Sequence, residues 1–455
     1  MTIITETLEK LKRKIEALFE RQDASIGAAE KYLTEAVNGT ICELLGAYYE
    51  ACGQAIYADK KARKEEGLSL VRHGDRRRVE TVFGGVEFRR DYYRKADGSY
   101  CYPADGIAGI SSYMRMSDES AAKLVRAAVR MPYAKANEYA MGGRFTAQTV
   151  MNKVRLARPE QEGELEQKRR VSCLHVDADE DHVNLHQGGN TIVPLSSVYE
   201  GIRHTGKRGS CVGIRHYSGY GMKTDEMWES VLEGIEKRYD LEGTRIYLHG
   251  DGAAWIRTGL EWLPGSRFVL DRYHYNKALK SAVSGLKGGV RGQYTAALRR
   301  ALEAGNVEDY DKVCSRLCEE EPARSQKAMD SLTYLRNNID GISICSTDPE
   351  ASNGGCTEPH VSTVYSARLS SRPAGWSPET LSVMSQLLAG CSFSMTRTQN
   401  GPSPSAPVTN VTSRAKVAVH AVLGAPDPAR IGSLPALEGY SSQLVKTLRS
   451  IANLC

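Results

Sequence analysis

Hydrophobic positions recur at three- and four-residue spacing through the first part of the chain. Leu8, Leu11, Ile15, Leu18 and Phe19 begin the stripe. Tyr32, Leu33, Ala36, Val37, Ile41, Leu44, Leu45 and Tyr48 continue it, so 5–66 reads as helix. A helical hairpin and a dimerisation arm both fit that stripe. The period then shifts. Val79, Thr81 and Phe83 alternate, Gly84-Gly85 supplies a turn, and Val86 and Phe88 resume, which predicts a β-hairpin carrying Arg76, Arg77 and Arg78.

Short helices follow over Ser117–Ala157. Leu124, Val125, Ala128 and Val129 form an apolar face, Pro132 interrupts it, and Tyr133–Met141 forms a second helix before a Gly142-Gly143 turn. Thr146 can cap a third helix bearing Val150 and Val154, with Gln148, Thr149, Asn152 and Lys153 as its polar positions. A helix-turn-helix fits this arrangement, and so does an ordinary helical subdomain.

From Val171 the pattern is α/β. Strands are expected at Ser172–His186, Ile192–Tyr199, Ser210–Tyr217, Arg245–His249 and Arg267–Leu270, with helices at Glu226–Tyr239 and Ala253–Leu260. Lys277–Asn338 is almost wholly helical and reads as an all-α insertion. Beyond a Gly/Ser/Asn-rich loop and a short helix, Asn400–Asn410 is Pro/Ser-rich and suggests a linker or loosely packed tail. The expected divisions are 1–66, 67–110, 111–165, 166–275 with 341–390, 276–340, and 391–455.

The chain has 455 residues, 41% hydrophobic and 25% charged, enough to bury cores and too apolar for general disorder. No stretch approaches a membrane span and the N-terminus lacks a signal-peptide core, so a soluble, cytoplasmic protein is expected. The 11 cysteines are scattered, without CxxC or Cys/His spacing, and are expected to be reduced thiols.

Acids within or ending strands supply the candidate chemistry. Asp177, Asp179 and Asp181 share one face of the Ser172–His186 strand, where their mutual repulsion would be relieved by a divalent cation. Asp251 stands between Gly250 and Gly252 at a second strand end, and Glu358 opens a helix at Pro359. Acids at neighbouring strand ends converge on one crevice. Ligands that are all oxygen select Mg²⁺ or Mn²⁺, and two such ions can drive displacement at a phosphodiester.

These residues carry a resemblance. Val176-Asp177-Ala178-Asp179-Glu180-Asp181-His182-Val183, Gly250-Asp251-Gly252-Ala253-Ala254-Trp255-Ile256, Val269-Leu270-Asp271-Arg272-Tyr273-His274 and Thr357-Glu358-Pro359-His360-Val361-Ser362 are similar to those of a bacterial insertion-sequence transposase of the ISLre family. So is Ala367-Arg368-Leu369-Ser370-Ser371-Arg372-Pro373-Ala374-Gly375-Trp376-Ser377. The likeness runs from about Arg72 to Ser377. The family resembles Mutator-like DDE transposases, which implies an RNase H-like mixed-sheet catalytic core with a helical insertion between the second Asp and the Glu. By that resemblance Asp251 is the second acid and Glu358 the third. Spacing to Val183 favours Asp179 as the first, with Asp177 the competitor. Asp271 and His274 match the D-x2-H signature; His274 would orient DNA or a ligand carboxylate, or else pack as a core histidine. Where the family carries Gly after the third acid this chain has Pro359.

Formal net charge is only +5, but it is unevenly placed. Asp59–Lys95 holds 12 Lys/Arg against 7 Asp/Glu, and Ala121–Ala157 holds 7 against 1. Such clusters fit a solvated face or phosphate contacts on double-stranded DNA. On the second reading Arg144, Gln148, Asn152 and Lys153 lie against the element's terminal inverted repeats. Arg203, Lys207 and Arg208, and Arg368 with Arg372 one turn apart, could also reach DNA. The expected function is a DDE transposase that cuts element ends and joins them to target DNA, working at least as a dimer. A nuclease or resolvase and a non-catalytic DNA-binding regulator are the alternatives.

Overall fold

The computed structural model describes residues 3–20, 25–160, 163, 165–206, 208–372, 374–395 and 409–423. The chain divides into two compact units, Met1–Lys123 with Arg397–Cys455, and Leu124–Thr396. The division falls inside the 111–165 segment that the sequence pattern keeps together.

In the first unit the apolar stripe forms helices Ile3–Phe19 and Ile26–Ala58, the second capped by the Ser25 hydroxyl accepting from the Ala28 N–H. Lys60–Glu65 is a separate short helix capped by Asp59. The hairpin pairs β1 (Ser69–Thr81) with β2 (Gly84–Arg94) in antiparallel register. Its turn is Val82-Phe83, one step ahead of the expected Gly84-Gly85. The glycines serve the second strand instead: Gly84 has φ +137°, and a Cβ on Gly85 would meet the Arg78 guanidinium. Thr409–Leu423, expected as tail, is a helix whose Val411 and Ala415 are buried with Ile56, Ala62, Leu68, Tyr93 and Cys101.

The second unit centres on a five-stranded mixed sheet. Its strands are β3 (Cys173–Asn184), β4 (Asn190–Tyr199), β5 (Arg215–Ser218), β6 (Arg245–Gly250) and β7 (Arg267–Leu270), in the order β5-β4-β3-β6-β7. β3–β4 and β4–β5 are antiparallel, while β3–β6 and β6–β7 are parallel. The expected Ser210–Tyr217 strand is two pieces. Arg208–Cys211 pairs with Ile202–Thr205 in its own ribbon, and Gly213 at φ +68° breaks the run before β5.

Period-two alternation gives the sheet two chemically distinct faces. Leu174, Val176 and Ala178 of β3 and Ile246 and Leu248 of β6 enter the main apolar core with Trp228, Val231, Ile235 and Ile256. The intervening residues Cys173, His175, Asp177, Asp179 and Asp181 fall on the opposite face, as do Tyr247 and His249. The expected insertion is all helical, from Arg272–Ala282 to Ile339–Thr347. It is not a separate body: Leu279, Leu298, Leu302, Tyr310, Leu317, Leu332 and Leu335 belong to the same apolar core as the strands. Ser392–Met395, also expected as tail, pairs antiparallel with Ala157–Glu160. Among the described residues no helix is long and apolar enough to cross a membrane.

Candidate active site

Parallel pairing sets His249 of β6 beside Asp177 of β3, and carrying that register two residues on brings Asp251 beside Asp179. Gly250 is next to Leu270 of β7, and the Asp271 N–H donates to the Gly250 carbonyl at 3.0 Å, so Asp271 adjoins Asp251. Glu358 sits in the first turn of Thr357–Val361, two residues earlier than the expected Pro359 start. The helix continues through a π-turn, Ser362–Ser366, a distortion common at functional sites.

The Asp179 carboxyl is pushed up to about 6, chiefly by burial; the hydrogen bond from the Glu180 N–H and the charge of His274 oppose the rise, and the charges of Asp251 and Glu358 add to it. His274 is raised above its ordinary value, first by the hydrogen bond to Asp271 and then by the charges of Asp271, Asp251 and Asp179. That bond, Nδ1 to Oδ2, is 2.6 Å, and the other Asp271 oxygen caps the helix by accepting from the Tyr273 and His274 N–H groups. Asp179 and Asp251 are thus neighbours by strand register, Asp271 and His274 adjoin Asp251, and the helix that carries Glu358 packs against β3.

The three acids on one face of β3 have separate partners. Asp177, 2% exposed, accepts from the Tyr199 hydroxyl at 3.1 Å and the Cys356 N–H at 2.8 Å, with His360 Nδ1 at 3.1 Å. It ties down the loop that leads to Glu358. Asp181 accepts from the Ser370 hydroxyl at 2.9 Å. Asp179 accepts from the adjacent Glu180 N–H at 2.8 Å and stands beside Asp251. Donors from distant segments thus relieve Asp177 and Asp181, where the pattern alone suggested a cation for all three.

Several positioning residues have no sequence signature. The Tyr334 hydroxyl of the helical insertion donates to the Asp251 carbonyl at 2.6 Å. Gly252, at φ +86°, lies where a Cβ would come 2.4 Å from Asn338 Oδ1, and Arg257 donates to that same oxygen at 2.7 Å. The Trp255 indole N–H reaches Glu180 at 2.8 Å, tying the helix after Asp251 to the strand of Asp179.

The profile of UPF0236, described as an uncharacterised protein family, matches residues 22–400. The chain belongs to the UPF0236 family. A UPF0236 protein of Caldanaerobacter subterraneus subsp. tengcongensis, whose name joins eleven loci, is 36% identical over 351 residues, 76% of this chain and 73% of its own length. Another from that organism, named for four loci, is 36% identical over 73% of this chain and 70% of its own. The "UPF0236 protein in vanSb 3'region" of Streptococcus gallolyticus is 22% identical over 58% of this chain and 61% of its own. Among solved structures, the chain is similar to a simian T-cell lymphotropic virus intasome in complex with PP2A regulatory subunit B56 gamma. That likeness, 12% identity and TM-score 0.15 over 46% of this chain and 68% of that one, is too slight to bear on the fold.

The basic residues of this UPF0236 chain are differently placed. Tyr133–Met141 and Ala147–Leu156 are joined through Gly142 and Gly143, both at positive φ, and the Asn137 side chain closes the turn on Phe145. Arg144, Gln148 and Asn152 are exposed and Lys153 half-buried, with Gln148 donating to Asn152 at 3.1 Å. Arg76 is exposed in β1, but Arg77 donates to the Met114 carbonyl and Arg78 pairs with Glu80 and Glu87. Arg203 is exposed, Arg208 opens the Arg208–Cys211 strand, and Lys207 lies outside the described residues. Arg368 is engaged internally, donating to the Ala128 carbonyl at 3.1 Å and lying over Tyr133 and Trp376. Arg372 is exposed beyond the helix end at Leu369, so the two are not one helical turn apart.

Proposed function

We propose that this chain is a DDE transposase of the ISLre type, which binds insertion-sequence ends and catalyses their cleavage and strand transfer. The observation that carries the reading is the placement of Asp179 and Asp251 side by side on two adjacent parallel strands, with Glu358 on a helix packed against β3, 107 residues beyond the second acid. Strand order and direction support it as well: an antiparallel run β3-β4-β5, then β6 and β7 parallel to β3, is the arrangement of an RNase H-like core. The helices between Asp251 and Glu358 stand where the resemblance requires an insertion. A relative repeated at eleven loci of one genome suits a mobile element.

The donors fit a hard divalent cation, because the side chains that converge offer carboxylate oxygen. Asp179, Asp251 and Glu358 would hold Mg²⁺ or Mn²⁺, which when bound in a pair supply an activated water or 3′-hydroxyl and stabilise the leaving oxygen. The protein's part is placement. Tyr334 and Asn338 fix the Asp251 turn, Asp177 fixes the loop before Glu358, and Asp271 holds His274 ready to meet a phosphate oxygen as a cation. Of the two candidates for first acid, the reading assigns Asp179, and Asp177 supports the loop.

The test is Mn²⁺-dependent cleavage and joining of element-end DNA by the full chain. Asp251→Ala and Glu358→Ala should each lower the rate by about 10³-fold or more while circular dichroism stays native. Wild-type rates in both variants would overturn the assignment. Cleavage without joining would favour a nuclease or resolvase, and binding without chemistry a regulator.

A further inference from the structure

At the start of β3, six residues before Asp179, a second set of donors converges in the interior. Cys173 Sγ lies 3.3 Å from Glu350 Oε1 and 3.9 Å from His175 Nε2, and the three ligand atoms all fall within 4.8 Å of one another. Cys173 is 3% exposed and His175 fully buried. Proton counting leaves this cluster short. The His175 Nδ1 to His249 Nε2 contact, 3.0 Å, takes one proton between two rings. With Nδ1 donating, the Nε2 lone pair of His175 turns toward Cys173. The single thiol proton then faces an imidazole lone pair, a carboxylate and the Glu200 carbonyl at 3.8 Å.

We propose that Cys173, His175 and Glu350 bind a Zn²⁺, with solvent in the fourth position. Zinc–ligand bonds of about 2.0–2.3 Å put tetrahedral donor atoms about 3.6 Å apart, and the observed 3.3 and 3.9 Å bracket that spacing. Thiolate and imidazole select zinc over Mg²⁺, which distinguishes this centre from the all-oxygen acids. On binding, the Cys173 thiol gives its proton to solvent, so that thiolate, neutral imidazole and carboxylate face the ion.

The surroundings are those of a metal-bound imidazole. The second ring nitrogen of His175 is engaged by His249, the partner that fixes a ligand's tautomer. Tyr199 and Tyr247 stack on the His175 ring, each with centroids 5.4 Å away, and prevent its rotation. Gly354 leaves room for the pair, since a Cβ there would lie 2.3 Å from His175 Nδ1 and 2.5 Å from His249 Nε2. Glu350 belongs to the turn Pro349–Asn353, so the ion would clamp that turn to β3.

Elemental analysis of the full chain, grown with zinc and dialysed without chelator, should find about one zinc per chain. Cys173→Ser and Glu350→Gln should each reduce it to below about a tenth, whereas Asp251→Ala, Glu358→Ala and Cys356→Ser should retain it. Cobalt substitution of the wild type should give a thiolate-to-metal charge-transfer band, which requires no variant to fold. Glu350→Gln changes charge with little change of shape and decides the location if Cys173→Ser fails to fold. A wild type without zinc or a cobalt band, or zinc undiminished in Glu350→Gln, would overturn the proposal.

Discussion

Midway along β3, Asp179 stands beside Asp251, with the helix of Glu358 packed on the strand, where solvent reaches. At the start of the strand, Cys173 and His175 stand with His249 and the half-buried Glu350 in the interior. At the first, burial resists the ionisation of Asp179, and the charges of Asp251 and Glu358 add to that resistance. Histidines in the second are pushed down, His175 to about 4, chiefly by burial and then by the neighbouring ring of His249. One strand thus carries two environments of opposite titration sense. Asp177 lies between them and belongs to neither, because the Tyr199 hydroxyl and the Cys356 N–H already donate to it. Identical residue types two positions apart therefore do unlike work, according to the donors that the rest of the fold supplies.

Exchanging Asp177 and Asp179 for Asn separates the two roles and gives the largest effect. Asp177→Asn puts an amide where an N–H and a hydroxyl now donate, and should cost about 3 kcal/mol, a fall in Tm of roughly 6–12 °C for a unit of this size. Its response to added Mn²⁺ should survive. Asp179→Asn removes a repelling charge, so its cation-free Tm should hold or rise, while the Mn²⁺-induced increase disappears. Differential scanning fluorimetry with and without Mn²⁺ reads both. The reverse pattern would make Asp177 the first acid.

Acid titration sharpens the comparison with a smaller effect. His216 is pushed down to about 4, first by burial, then by His360 and Arg215, against the opposing pull of Asp177; its Nδ1 lies 2.7 Å from the Ser197 hydroxyl. A folded pKa below the unfolded value of about 6.5 contributes stability that is present above 6.5 and lost as pH falls toward 4. Asp179 has the opposite sign: raised to about 6, it favours the cation-free fold below its unfolded value of about 3.9 and ceases to do so as pH rises through 6. Because His175 is lowered as His216 is, the two histidines outweigh the single carboxyl, and in chelator Tm should fall between pH 6.5 and 4.5, more gently in His216→Gln. An unchanged slope in that variant would remove His216 from the account.

Much of this was legible in β3 itself. Leu174, Val176 and Ala178 alternating with His175, Asp177 and Asp179 describe a strand with one oily and one chemical face, and the Asp251 and Glu358 motifs stood out beside it. What alternation could not distribute was the donors. Tyr199, Cys356 and Ser370 come from other segments, and their choice of Asp177 and Asp181 is what leaves Asp179 to its neighbours. Tertiary partners also hid the helix Thr409–Leu423. Val411, Ala415 and Val419 keep a four-residue spacing, but adjoining Pro and Ser obscured it. The strand Ser392–Met395 is four residues long and pairs far back in sequence, so it leaves no local period to read.

The helix Ala147–Leu156 offers the smallest and most specific test. Val150 and Val154 are fully buried, which fixes the helix rotation and leaves Gln148 and Asn152 together on the exposed side, linked at 3.1 Å. Two amides side by side present both donors and acceptors, the complement of an adenine edge in the major groove. An arginine on the hairpin such as Arg76 offers charge alone, and charge reads phosphate without regard to sequence. Asn152→Ala should therefore weaken binding to element ends by about 1 kcal/mol, roughly fivefold, and leave nonspecific duplex binding unchanged. Arg76→Ala should weaken both duplexes equally and flatten the salt dependence by about one ion. Equal losses on both duplexes for Asn152→Ala would reduce this helix to a phosphate contact and take base reading away from it.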